Sequence, residues 1–480
     1  MAMAIRNRLF IDNEWRDGAE GRVFETFDPA TEEPIAAVAV AEPEDVARAV
    51  GAAERAMKGE WGRMAPERRG ELLERLAGLI DARREEIAAL ETLDMGKPLR
   101  ESLANVARSS RTCRYYAGAV DKHLGQSVPV GHNAASFTVH EPLGATAHIT
   151  PWNYPFANAC RSLPAALAAG CTVILKPASD TPLTTLLLGE LCAEAGFPAG
   201  VVNVLTGGGG SVGAALASHP GIRGITFTGS VSTGRRIAAM AAERVVPAVL
   251  ELGGKNPLIL FADADLDNAV TQTLRGAFTN AGQVCTSVSR VLVERRIHAD
   301  FVEALAARVR ALTIGNGRDN PDIGPLVSRA HYDVVAGHVR VARERDRARL
   351  VAGGARAEGQ PRGWFWQPTL FDAVTPDMSL AREEIFGPVL AVIAFDDEAE
   401  ALGIANGLSL GLTSGIFTSD IQRAFRLARD LQAGMVWINE WFLSPVQTPH
   451  GGVKESGIGR EQGLAALANY TQSKTIGIRF

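Results

Sequence analysis

Cysteine is scarce in this chain: five of 480 residues, at 113, 160, 171, 192 and 285. The number is odd and no CxxC pair occurs, which excludes a disulfide framework and the usual cysteine metal sites, so no metal is expected. A reducing, cytoplasmic setting follows as the expectation. No apolar run approaches the roughly 20 residues of a membrane span. The opening MAMAIRNRLFIDNEW turns polar too early for a signal peptide. A net charge of −5 leaves no basic field for nucleic acid. There is no internal repeat and no low-complexity tract. What is present is ordinary for a globular chain, with 46% hydrophobic and 21% charged residues. The length suits two or three domains, or two large lobes sharing one connectivity.

Residues 43–58 and 66–94 repeat apolar positions at the spacing of amphipathic helices, and a further helix is expected through 98–123. QSVPVGHNAASFTVHEPLG (126–144) alternates around a Gly-His-Asn turn, which predicts a two-stranded excursion. From 145 onward strand and helix alternate. ATAHIT, TVILKP, VVNVLTG, GITFTG and PAVLELGG read as strands, with small-residue helices between them. NPLILF, SRVLVE, PVLAVIAF, TSGIFT and GMVWIN form a second series after Gly254. The expected fold class is therefore α/β, with two Rossmann-like doubly wound lobes and a small strand appendage. The tail YTQSKTIGIRF alternates like a strand with no hairpin partner after it. It either completes the 126–144 excursion or adds to a neighbouring subunit's sheet.

Three glycine or lysine turns follow successive strands. GGGSVG (208–213) matches GxGxxG, yet positions 214–242 hold no Asp or Glu, so the acidic partner usual about 20 residues later is missing. An unspecialised turn is the alternative there. In ITFTGSVSTGRRIA (225–238), Gly229 and Gly234 would let backbone and helix N-terminus approach a phosphate, with Ser230 adding a hydroxyl. LKPASDTP (175–182) ends a strand on Lys176, whose ammonium can reach ribose or phosphate at the sheet's carboxyl edge. Singly each is weak; at successive strand ends they reinforce one another.

NAGQVCTSVSR (280–290) sets Cys285 among glycine, amides and small hydroxyls, where a thiol has little to pack against. Cys171 in AAGCTVIL and Cys192 in LLLGELCAEAG sit in apolar company instead. Cys285 is the candidate nucleophile. Glu251 in VLELGGKNP, 34 residues earlier, is a candidate general base. Asn153 in TPWNYPF is an amide in a proline-bounded turn, suited to stabilising an oxyanion or, alternatively, to an ordinary Asx turn.

In the order PWN, LKPAS, FTGSVSTG, LELGGKNP, GQVC, EEIFGPV, GGVKESGIGRE, the chain resembles the aldehyde dehydrogenase superfamily over nearly its whole length. One such match is weak, whereas seven in register are strong. The resemblance implies that Cys285 attacks an aldehyde and that Asn153, with the Cys285 N–H, holds the oxyanion. Hydride then passes to a nicotinamide, and Glu251 activates water against the thioester. It further implies that Lys176 meets the cofactor ribose and that Ser230, between Gly229 and Gly234, meets the pyrophosphate. Leu252 joins the cofactor-binding set, and Glu384 and Phe386 of EEIFGPV position the nicotinamide half. Trp152 matches an adenine-side wall, and Glu461 of GRE a second proton acceptor. Ser179 stands where strictly NAD-dependent members often carry glutamate, so NAD is expected and NADP is also compatible.

For the substrate the signals conflict. NEWFLSPVQTPHGG (439–452) resembles the betaine aldehyde and aminoaldehyde dehydrogenase branch, in which Trp441 would be an aromatic wall for an ammonium group. Tyr154 and Phe156 are further aromatic candidates. Arg161 stands where that branch commonly has Trp. Facing the tunnel, it would repel a cation and clamp a carboxylate, as in semialdehyde dehydrogenases. On the helix's outer side it would bond protein carboxylates instead. His450 departs from a more frequent Phe. Betaine aldehyde or an aminoaldehyde is the expected substrate, with a semialdehyde such as succinate semialdehyde, or an aromatic aldehyde, as the alternative. A catalytically silent nucleotide-binding protein is the non-enzymatic alternative, and the presence of Cys285, Glu251 and Asn153 argues against it. The expected division is a cofactor-binding domain at 1–125 and 145–252, oligomerisation strands at 126–144 and 470–480, a catalytic domain at 253–450, and a return segment at 451–469. A homodimer or homotetramer is implied, with no nucleic-acid or membrane partner.

Overall fold

The structure, a computed structural model, describes residues 5–480. Short, fully buried strands such as Thr172–Lys176 and Asn256–Leu260 form two parallel-cored sheets. Their continuous apolar runs are what a strand covered on both faces requires. In the first sheet the parallel strands lie side by side as Val202–Val204, Thr172–Lys176, Ala145–Ile149, Gly224–Thr228 and Ala248–Glu251. The chain order reverses between Ala145–Ile149 and Gly224–Thr228. Loops on either side of such a reversal diverge and leave a crevice at the strands' carboxyl ends.

The second sheet runs Arg349–Ala352, Thr369–Asp372, Val389–Phe395, Val288–Glu294, Asn256–Leu260, Thr413–Phe417 and Met435–Ile438, with only its first strand antiparallel. Near the C-terminus Gly457–Ile458 returns to the first sheet and pairs antiparallel with Leu250 and Glu251. The α/β class expected from strand–helix alternation is the observed one. No helix among the described residues is long and apolar enough to cross a membrane.

Several expected elements change in detail. The helix expected over 66–94 is two, Pro66–Ala82 and Arg84–Met95, because Arg83 leaves the helical region at φ −106°, ψ 20°. The helix expected through 123 stops at Ala117, where Gly118 follows and the bonding tightens into turns. The hairpin Leu9–Ile11 and Glu14–Arg16 gave no clear sequence signal; it turns on Asp12 and Asn13, both at φ 60°.

The tail pairs within its own chain. Thr471–Arg479 lies antiparallel along Ala134–Pro142, with Ser127–Val128 on the other side of that strand. Tyr470, just before it, is buried, stacks on His148 at 5.5 Å and bonds Thr226 Oγ1 at 3.1 Å. Removing residues 470–480 therefore strips a nine-residue ladder and a core aromatic together. Loss of a large core side chain alone costs about 3–5 kcal/mol. The truncated protein is expected to aggregate or to melt far below the full chain, read by size-exclusion chromatography and thermal denaturation. A well-behaved, active truncated protein would refute this.

Candidate active site

The carboxyl ends of three first-sheet strands deliver one residue set to the crevice. Ala145–Ile149 runs on to Trp152, Asn153 and Tyr154, Gly224–Thr228 into Gly229 and Ser230, and Ala248–Glu251 ends on Glu251 itself. The second lobe contributes the Cys285 loop and the 384–386 segment. Together they enclose a cavity of about 600 Å³ that Cys285, Asn153 and Glu251 all line, with Trp152, Tyr154, Arg161, Gly229, Ser230, Leu252, Glu384 and Phe386.

The cysteine loop is held in an uncommon conformation. Asn280, Ala281 and Gly282 are successively left-handed, at φ 53°, 54° and 70°. A Cβ on Gly282 would also lie 2.2 Å from the Gly387 carbonyl oxygen, so only glycine lets the GQVC and EEIFGPV segments touch. Three amides lock the loop. Asn256 Nδ2 donates to the carbonyls of Cys285 and Ser287, each at 2.8 Å. Asn153 Nδ2 donates to Gln283 O at 3.0 Å, and Asn280 Nδ2 to Asn153 O at 3.0 Å. Asn153 is thereby fixed against the loop of the thiol it is expected to serve. Asn256, Asn280 and Gln283 were not singled out in the sequence, although Asn256 lies inside a quoted motif and the other two stand beside Cys285.

All five cysteines are free; four are buried and Cys285 alone is partly open. Burial pushes its thiol up to about 11, with Glu251 and Glu384 adding to the shift and Arg161 opposing it. Burial, then Glu461, hold the Glu251 carboxyl well above the usual carboxylate range, against Arg161 and Arg460. Its Oε1 is buried without a partner, and His450 Nε2 stands 4.0 Å from its Oε2. Such a carboxyl takes and returns a proton at neutral pH more readily than an ordinary glutamate. Glu461 is ion-paired through Oε2 with Arg161 Nε, both nearly inaccessible.

Among the residues expected to meet a cofactor, Ser230 caps the helix Val231–Glu243 by accepting from Thr233 N at 3.3 Å, and Gly234 rests on Leu252. Lys176 is buried and bonds Pro177 O at 3.0 Å; burial lowers its ammonium to about 8, opposed by Asp180. Ser179 Oγ donates to Gly207 O at 3.0 Å. The GxGxxG stretch makes a single π-helical turn, Gly209–Gly213, beside Lys176. Glu384 Oε1 accepts from Gly254 N at 3.2 Å, and burial raises its carboxyl to about 7. A Cβ on Gly253 would fall 1.9 Å from Glu384 Oε2, so that glycine admits the carboxylate. Trp152, expected as an adenine-side wall, lines the cavity; its ring meets Phe386 at 5.2 Å and His331 at 4.9 Å, and its carbonyl accepts from Thr181 Oγ1 at 3.1 Å.

On the substrate side the expectation for Trp441 is overturned. It is fully buried, packs on Gly276 and Gly415, donates Nε1–H to Thr286 O at 3.0 Å and does not line the cavity. Phe442, at φ 68°, turns the chain, so that Phe442 and Trp437 are the aromatics from this segment that face inward. Tyr154 lies with Lys97 Nζ 4.2 Å from its ring centre, and Phe156 is buried in the first lobe's core. Arg161 is not on the helix's outer side. It lines the cavity, bonds Thr228 Oγ1 at 2.9 Å and is already neutralised by Glu461. Burial works against its charge, and Glu461, Glu251 and Cys285 more than offset that.

The profile of the aldehyde dehydrogenase family matches residues 15–476. The chain is 43% identical over 472 residues to hydroxyisobutyraldehyde dehydrogenase of Mycolicibacterium austroafricanum, covering 98% of this chain and 93% of that protein. It is 43% identical over 478 residues to a mitochondrial aldehyde dehydrogenase of Equus caballus, covering 98% and 95%. Among solved structures, betaine aldehyde dehydrogenase of Staphylococcus aureus in complex with NAD+ superposes with a TM-score of 0.97 at 39% identity, over 99% of this chain and 95% of that one.

Proposed function

This chain belongs to the aldehyde dehydrogenase family, and from that premise we propose that it oxidises an aldehyde to the carboxylic acid with NAD, through a thioester on Cys285. One observation carries the proposal: a single cavity is lined by Cys285, Asn153 and Glu251 together with Ser230, Glu384 and Phe386. The residues present fit a nicotinamide cofactor. Lys176 makes one bond to a backbone carbonyl and keeps ammonium protons for ribose hydroxyls. Ser230 opens a helix whose first-turn N–H groups favour phosphate. Glu384 and Phe386 would border the ring, which supplies the hydride acceptor when bound. Ser179 contributes a neutral hydroxyl, already tied to Gly207, and so opposes neither NAD nor a 2′-phosphate.

Cys285 loses its proton to Glu251 and forms the C–S bond with the carbonyl carbon. Asn153 Nδ2 and the Cys285 N–H take the developing oxyanion. With the cofactor in place, hydride would leave that carbon so that a thioester remains on Cys285, while Glu251 releases its proton to solvent. Glu251 then removes a proton from water, whose oxygen attacks the thioester carbon; the C–S bond breaks, the acid departs and the proton returns to the Cys285 sulfur. Glu461 acts on this sequence through Arg161, whose charge faces both Cys285 and Glu251.

The substrate is a polar, non-cationic aldehyde. Trp441 is in the core and the cavity's aromatics are Tyr154, Trp437 and Phe442 among others, but Arg108 and Arg161 both line it, and two guanidinium groups oppose a cationic aldehyde. A homodimer or homotetramer built on the free edge of Thr471–Arg479 completes the proposal. The test is NADH formation, followed by absorbance, with butyraldehyde, benzaldehyde, betaine aldehyde, 4-aminobutyraldehyde and succinate semialdehyde. Turnover of at least one is the expected result, with betaine aldehyde and 4-aminobutyraldehyde poorest. No NADH with any of them would defeat the proposal.

A further inference from the structure

The helix Leu99–Ala117 lays Asn105, Arg108, Ser109 and Thr112 along the cavity at successive turns. Arg108 is a partly buried guanidinium without a carboxylate. Its Nη2 donates to Ser444 O at 2.7 Å and, at 3.4 Å each, to Ser444 Oγ and Gln462 Oε1. Among the described residues no acidic side chain pairs with it, and the guanidinium groups of Arg161 and Arg111 add charge of its own sign. Burial lowers it, and those two neighbours lower it further. One turn earlier, Asn105 Nδ2 is buried and donates to nothing. Both ring nitrogens of His450, on the same cavity, are likewise buried without partners. Glu101, two turns before Arg108, is engaged by Asn280 N at 3.1 Å.

The contrast with Arg161 is instructive. That guanidinium has Glu461, whereas Arg108 has only neutral acceptors. A sequestered charge with neutral partners is poorly compensated unless a ligand supplies the counter-charge. A guanidinium fork binds a carboxylate through two parallel N–H···O bonds.

Resting on the aldehyde-oxidising proposal, we infer that Arg108 is the specificity-determining residue of this site. It takes a carboxylate carried by the aldehyde at the end away from the carbonyl, with Asn105 Nδ2 donating a second bond. The substrate class is thus the ω-carboxy aldehydes.

The experiment compares kcat/KM for succinate and glutarate semialdehydes with that for butyraldehyde, in the wild type, Arg108→Met and Arg108→Lys. The wild type is expected to prefer a carboxylated aldehyde. In Arg108→Met the carboxylated-to-neutral ratio should fall roughly 10- to 100-fold, chiefly through KM, the range of one charged hydrogen bond. Arg108→Lys should restore part of it, which a merely structural role would not produce. Binding of succinate and glutarate to the Cys285→Ala protein with NAD, measured by calorimetry, supplies a readout without turnover, and Arg108→Met should abolish it. A wild type favouring butyraldehyde, or a ratio unmoved by Arg108→Met, would overturn the assignment while leaving the dehydrogenase proposal intact. Dicarboxylate binding lost with Arg108, in a protein that oxidises no aldehyde, would sustain the assignment and defeat the other.

Discussion

Cys285→Ala is expected to lower kcat by roughly 10⁴-fold or more, since no covalent route then remains. The fold should survive. The side chain is small, and the loop is held by Asn256, Asn153 and Asn280 through backbone carbonyls rather than through sulfur. Circular dichroism and NAD binding should therefore match the wild type. Iodoacetamide should label Cys285 ahead of Cys113, Cys160, Cys171 and Cys192, all four of which are buried. With its thiol raised to about 11 in the free protein, the labelling rate should climb about tenfold per pH unit between pH 7 and 9. Comparable labelling of another cysteine, a flat pH dependence, or residual turnover in the alanine variant would each count against Cys285 as nucleophile.

Glu251→Gln separates the two half-reactions. Another base or bulk water can still remove the thiol proton, slowly, whereas the neutral amide at 251 cannot take the proton of the water that attacks the thioester. The variant should release a burst of NADH near one equivalent and then turn over about 10²- to 10⁴-fold more slowly than the wild type. The sign of the pH effect follows from the raised carboxyl. Glu251 stays protonated, and so inactive as a base, to a higher pH than an ordinary glutamate. The wild-type steady state should rise with pH through a range above that of ordinary carboxylates, and Glu251→Gln should flatten that rise. Rapid-mixing kinetics read both effects. Loss of the burst itself would show that no other group can replace Glu251 in taking the thiol proton.

Much of the site could be read from the chain because its chemistry sits at strand ends. A buried strand announces itself by an apolar run, and the turn after it must be exposed to whatever binds there. Lys176, Gly229 with Ser230, and Glu251 each follow such a run, and each lies at the carboxyl edge of the first sheet. Cys285 was legible for the opposite reason, since its neighbours are too small and polar to need a packed thiol. Short strands were harder. Arg349–Ala352 and Thr369–Asp372 are each four residues long, only two alternations, so periodicity has little to act on.

The 439–452 segment shows where local reading stops. Alternation predicts which side of a strand a residue faces, but Asn439 at φ 55° and Phe442 at φ 68° end the alternation. Trp441 then turns into the core under Thr286 O, and Phe442 takes the cavity face. No property of the tripeptide fixes that choice; Gly276 and Gly415, distant in sequence, leave the space the indole fills.

By itself the sequence determined the succession of strands and helices, the α/β class and the residue types available at each turn, because these depend on periodicity and on conformations local to a few residues. The tertiary structure alone decided which charges meet. Arg161 and Glu461 are 300 residues apart and neutralise one another, whereas Arg108 reaches only neutral acceptors on 444 and 462. Whether a guanidinium is a structural ion pair or an unmatched site for an anion depends on the group that faces it, and only the fold, which brings the C-terminal segment back onto the first sheet, sets that group within a few ångströms.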